Sequence, residues 1–159
     1  QCEEGVSIIQ KSFPETESLR DITETMLLGS KEKMSPLVYQ RCLYVIQENA
    51  RLMRACEALK QDDFISFGKE MYGSHDGLSK QYEVSCDQLD FLVELARNFS
   101  GVAGARMMGG GFGGCTINLV SDKAYQTFMQ KVTTDFEMQF GKKPFYYEVA
   151  IENGARKIG

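Results

Sequence analysis

Between Leu37 and Ala55 the apolar residues Leu37, Val38, Leu43, Tyr44, Val45 and Leu52 fall at helical spacing, with Arg41, Gln47, Glu48 and Arg51 among them. Ser35-Pro36 lies just ahead. The pair predicts a helix from Pro36 to about Lys60, capped by the Ser35 hydroxyl, with proline at the first position where its missing donor costs nothing. A second helix is expected from Asp62-Asp63 through Phe64, Ile65, Phe67, Gly68 and Met71, loosening at Gly73-Ser74-His75-Asp76-Gly77. Ser85 is placed as the cap of a third, with Leu89, Leu92, Val93 and Ala96 buried, Asp87, Asp90 and Glu94 in solvent, and an end between Asn98 and Gly101.

Beyond that point the period changes. Val102 to Met107 and Thr116 to Val120 read as strands on either side of a glycine-rich loop. Ser121-Asp122 then opens a helix carrying Ala124, Phe128, Val132, Phe136 and Phe140, which stops at Gly141. Phe145 to Ile151 alternates like a further strand. At the other end, Val6, Ile8, Ile9 and Phe13 stop at Pro14 and read as the tail of a helix begun upstream, with short turns over residues 14–35. No internal repeat is visible. Hairpin-paired strands with helices on one face give an α+β domain, an antiparallel sheet backed by helices, close to the split β-α-β arrangement.

The chain has 159 residues, 43% of them hydrophobic, enough for one ordinary core. Its net charge of −4 comes without a concentrated basic patch, which argues against nucleic acid or an anionic membrane as partner. No membrane span or secretion signal is visible in the sequence. The five cysteines are scattered singly and there is one histidine, so the spacing points to neither structural zinc nor a disulfide framework and suits a reduced, cytoplasmic setting.

Candidate chemistry concentrates in Gly109-Gly110-Gly111-Phe112-Gly113-Gly114, where five glycines in six positions clear side chains from a backbone whose N–H groups could cradle a phosphate. Gly109, Gly111 and Gly114 satisfy a G-x-G-x-x-G pattern, but a strand follows where a dinucleotide site requires a helix, and no Gly-Lys-Ser/Thr completes a Walker A loop. Arg106 could pair a phosphate or a neighbouring carboxylate. Met107 and Met108 either pack beside the loop or border a nucleotide base. His75 and its neighbour Ser74, in what reads as a polar bend, are further candidates to face the site; adjacency alone makes no catalytic triad.

Ala105-Arg106-Met107-Met108-Gly109-Gly110-Gly111-Phe112-Gly113-Gly114-Cys115 resembles the third conserved motif of galactokinases, members of the GHMP sugar-kinase superfamily. Ser74-His75-Asp76-Gly77-Leu78-Ser79 and Tyr82-Glu83-Val84-Ser85-Cys86 with Leu89-Asp90 resemble the stretch that precedes that motif, Arg41 to Asn49 is similar to a helix of the family, and Cys2-Glu3-Glu4-Gly5 to the segment after its Asn-x-Arg-Arg sequence. Galactokinases usually carry threonine where Met108 stands. The resemblance runs through residues 1–159 in order and implies a ferredoxin-like GHMP C-terminal domain of a longer two-domain kinase. In such a kinase, galactose is phosphorylated at its anomeric hydroxyl by ATP with Mg2+. It also implies that the sugar motif, the Ser-rich ATP-phosphate motif, the catalytic aspartate and its arginine belong to an N-terminal domain outside this sequence, so that this chain holds no catalytic residue or metal ligand and is inactive alone. Gly109 to Gly114 would then form one wall of a cleft for sugar and ATP, its partner the N-terminal domain. An N-acetylgalactosamine kinase or a catalytically silent galactose and ATP sensor would share the same loop.

Overall fold

The computed structural model describes residues 1–147 and 149. Helices α1 (Cys2–Gln10), α2 (Glu24–Gly29), α3 (Pro36–Lys60), α4 (Phe64–Lys80) and α5 (Asp87–Arg97) precede an antiparallel hairpin of β1 (Val102–Met108) and β2 (Cys115–Val120), and α6 (Asp122–Phe140) follows it. The architecture is α+β, with an antiparallel sheet backed by helices.

Local chemistry sets most of the boundaries. The Ser35 hydroxyl accepts from Val38 N and Pro36 occupies the first turn of α3; the Asp63 carboxylate accepts from Ser66 N at the start of α4. Gly141, at φ 66°, ends α6 in the left-handed conformation that glycine adopts without strain. Two apolar clusters hold the elements together. Ile9, Leu27, Val38, Cys42 and Ile46 join α1 and α2 to the first half of α3, while Val93, Ala96, Ala105, Phe128 and Val132 join α5, β1 and α6.

The two clusters are connected where α4 lies across β1. A Cβ on Gly68 would overlap the Ala103 carbonyl and one on Gly104 would overlap the Gly68 backbone, so helix and strand approach at a glycine-to-glycine crossing. The register irregularity between Val102 and Gly104 falls at this crossing.

Four expectations need correction. Helix α4 does not loosen at Gly73 to Gly77 but runs to Lys80: Gly73 makes room for the Arg51 guanidinium and Gly77 for the Tyr44 ring, so both glycines serve helix packing and not a bend. His75 accordingly sits on a helix and is buried, not in a polar bend. Ser85 does not cap α5; the cap position is Cys86, and the Ser85 hydroxyl instead donates to Asp90, whose half-exposed carboxylate is also engaged by neighbours. Phe145, Tyr146 and Tyr147 form no strand, and the remainder of that predicted element lies, apart from Val149, outside the described residues.

Candidate functional site: a tethered glycine loop

The loop between β1 and β2 owes its shape to backbone angles that side chains rarely tolerate. Gly109, Gly111, Gly113 and Gly114 have φ of 88°, 93°, 135° and 103°, and Phe112 between them has φ 59°. The loop is nonetheless fixed at its middle. Phe112 N donates to Val84 O at 2.7 Å, and a Cβ on Gly111 would overlap that same carbonyl. No described atom lies within 4 Å of the place a Cβ would take on Gly109, Gly110 or Gly113, and the amides of Gly109, Gly110, Gly113 and Gly114 have no backbone acceptor among the described residues. Those of Gly109, Gly110 and Gly113 are therefore left beside open space, while Gly114 lies against the Met108 carbonyl. That disposition suits an anionic ligand. Phe112, 79% exposed, and Met108, 52% exposed, flank it.

Val84 is itself held from two sides. Its own amide donates to Leu78 O at 3.0 Å, closing the turn after α4, in which Glu83 takes φ 57°. From α3, the nine-tenths buried Arg41 donates to Gln81 O and pairs with the Glu83 carboxylate, and Gln40 Nε2 donates to Gln81 O at 3.2 Å. Tyr82 in this turn lies against Tyr44 with ring centroids 5.0 Å apart.

His75 points inward from α4, 3% exposed. Its Nδ1 accepts from Met107 N at 3.2 Å, and its Nε2 stands 3.1 Å from Asp90 Oδ1. Nδ1 must be unprotonated to accept, so the ring is the neutral Nε2–H tautomer, and burial, partly offset by Asp90, pushes its proton affinity below the ordinary histidine value. Asp90 also accepts from Ser85 Oγ at 2.5 Å and Ser79 Oγ at 2.9 Å.

Ser74, on the same turn of α4, is buried and donates to the Glu48 carboxylate. Glu48 also pairs with Arg51 at 2.8 Å and stands 4.0 Å from Arg106 Nη1; Arg51 and Arg54 share Glu70. Arg106 Nε donates to Met107 O at 3.0 Å. Burial and the Glu48 charge push the Tyr44 hydroxyl up to about 12.

Of the predicted site residues, the structure brings Gly109 to Gly114 and Met108 together on an open surface. It buries Ser74 against Glu48 and His75 against Met107 and Asp90, and leaves Arg106 part-exposed at the edge of the Glu48 network. Sequence reasoning missed Asp90, Val84 and Arg41, although His75 and Ser79 at a four-residue spacing share a helix face and signal a common partner.

Residues 55–133 match the family of GHMP kinases C terminal. These residues carry a GHMP kinase C-terminal domain. The similarity of the chain is to galactokinases in particular. It is 39% identical over 160 residues to the galactokinase of Clostridium beijerinckii, covering 100% of this chain and 41% of the relative, and 34% identical over 158 residues to that of Thermotoga maritima, covering 99% and 43%. The crystal structure of Lactococcus lactis galactokinase complexed with galactose matches with a TM-score of 0.82 at 29% identity, over 89% of this chain and 37% of that one. The chain thus spans about two fifths of the length of the curated relatives it matches.

Proposed function

We propose that this chain is the C-terminal domain of a two-domain kinase that transfers the γ-phosphoryl group of ATP to the anomeric hydroxyl of D-galactose. Phosphoryl transfer depends on positioning and on neutralising charge spread over the phosphate oxygens. The observation that carries the reading is the set of amides at Gly109, Gly110 and Gly113, without a backbone acceptor among the described residues, beside open space and fixed from below through Phe112 to Val84. In this reading Gly109 to Gly114 line the nucleotide phosphates or the sugar from one wall of a cleft, and the N-terminal domain supplies the opposite wall with the catalytic carboxylate. Met108 and Phe112 border the ligand with apolar surface. Arg106 and Ser74 act from behind, as members of the Glu48 network.

Magnesium would neutralise phosphate charge when bound with ATP. Among the described residues no group of three or more His, Cys, Asp or Glu side chains is placed to hold a metal ion. No helix among the described residues is long and apolar enough to cross a membrane. The five free cysteines accord with a reducing cytoplasm.

The test is ADP release by the full-length protein with ATP and magnesium, offered galactose or N-acetylgalactosamine. Galactose-dependent turnover supports the reading. Preference for the N-acetylated sugar, or no turnover with either, overturns it in favour of a related kinase or a sensor.

A further inference from the structure

We propose that His75 is a positioning residue for the glycine loop, holding the strand that enters it through the acceptor at Nδ1 while Asp90 fixes the ring. The inference rests on the reading of the loop as a ligand wall. Its ground is a closed circuit of hydrogen bonds in which both attachments of the loop converge on Asp90. On the entry side, Met107 N–H donates to His75 Nδ1, and His75 Nε2–H donates to Asp90 Oδ1. On the middle of the loop, Phe112 N–H donates to Val84 O, and the adjacent Ser85 hydroxyl donates to the same Asp90 oxygen. Ser79 occupies the other carboxylate oxygen.

The loop has few contacts of its own to keep this geometry. A Cβ on Gly109, Gly110 or Gly113 would meet nothing beyond the adjoining residues, and glycine imposes no dihedral preference that would hold the open amides in place. Order must then come from the Phe112 tether and from the strands at the ends, and Met107 lies two residues before Gly109. His75 is thus placed to act on ligand geometry without touching ligand. A connected, part-buried hydrogen-bonded network is also what gives a single arrangement to a backbone that would otherwise sample several.

The same arrangement makes the hold depend on the charge of the ring. Protonation at Nδ1 removes the acceptor. The charged groups that bear on His75 are Asp90 and Arg97 from α5 and Asp76 from its own helix; β1 presents only the Met107 amide. The two carboxylates favour the protonated ring, whereas burial and Arg97 oppose it.

The experiment uses the full-length kinase with His75→Asn, His75→Gln and, as a loop control, Gly110→Val. Asparagine keeps an acceptor near the position of Nδ1; glutamine reaches toward Asp90 and leaves Met107 N–H unpaired. His75→Gln should raise KM for ATP about tenfold or more, and His75→Asn should recover most of that loss. Equal KM values for the two variants, or a fall in thermal stability with KM and kcat both at wild-type values, would overturn the inference. If Gly110→Val raises KM for ATP or galactose and neither His75 variant does, the positioning role fails while the ligand wall stands; if Gly110→Val leaves kcat and both KM values unchanged, the wall itself fails. A measurement on wild-type enzyme needs no variant to fold. Hydrogen exchange at Met107, corrected for the intrinsic rate, should accelerate as pH falls below the ordinary histidine value of 6.5 and the ring takes up its proton, and protection that stays constant down to the acid unfolding of the protein would contradict the role of the neutral ring.

Discussion

Gly111 lies against Val84 so closely that a Cβ would overlap the Val84 carbonyl oxygen, while the next amide, that of Phe112, donates to the same oxygen at 2.7 Å. One carbonyl therefore both demands glycine and anchors the loop. Gly111→Ala should cost activity by unseating the loop, not by meeting ligand, and its φ of 93° adds backbone strain. We expect kcat/KM to fall at least tenfold, about 1.4 kcal/mol of transition-state stabilisation, with faster exchange at Phe112 N. Wild-type exchange at that amide in the variant would show that the Val84 contact does not anchor the loop.

Gly68 provides the corresponding test for the scaffold. In a free helix Gly→Ala stabilises by about 1 kcal/mol, but here the new methyl group would enter the Ala103 backbone. Overpacking should win, with a net loss of about 1–3 kcal/mol in chemical denaturation. Gly29→Ala, which meets nothing within 4 Å, should be neutral or slightly stabilising. Equal behaviour of the two variants would contradict the glycine-to-glycine crossing of α4 and β1.

His75 predicts the direction of a pH effect on stability. Its proton affinity is lower in the folded chain than the ordinary value of 6.5, because burial outweighs Asp90. The unfolded chain therefore binds the proton first as pH falls, which draws the equilibrium toward unfolding. The His75 contribution is fully present above about pH 6.5 and declines as pH drops through the folded-state value. Comparing wild type with His75→Asn in urea across this window should show a steeper acid loss in wild type. Parallel curves would mean that the ring titrates alike in both states.

Cys42 and Cys56 should differ sharply toward a thiol reagent. Burial pushes the Cys42 thiol up to about 11 and removes it from solvent, whereas Cys56 is exposed on α3. Near neutral pH Cys56 should be alkylated in the native protein, and Cys42 only on unfolding. Alkylation of native Cys42 at a matching rate would place α1 away from α3.

Much of this fold could be read along the chain where the signal is local. The Ser35-Pro36 start of α3, the strand-loop-strand hairpin and the Gly141 stop of α6 each depend on residues adjacent in sequence. Gly73 and Gly77 misled because a missing side chain can release a backbone or admit a neighbour, and only the distant partners Arg51 and Tyr44 decide which. The glycine loop was legible as a site for the first of those reasons. Its tether was not, since Val84 contributes a backbone carbonyl, an atom every residue has. His75 drew attention as the sole histidine, yet its partners Met107 and Asp90 are 32 and 15 residues away and meet it only once α4, α5 and β1 are packed.

The central claim is that the open amides of the loop bind the reacting ligands. Gly110 has no positive φ, and no described atom lies within 4 Å of the place its Cβ would take, so Gly110→Val adds bulk only toward the open face. Steady-state kinetics of the full-length kinase carrying this change test the claim most directly. The account predicts at least a tenfold loss in kcat/KM for ATP or galactose, with the thermal midpoint moved by no more than about 2 °C. Wild-type kinetics in a folded Gly110→Val enzyme would contradict it.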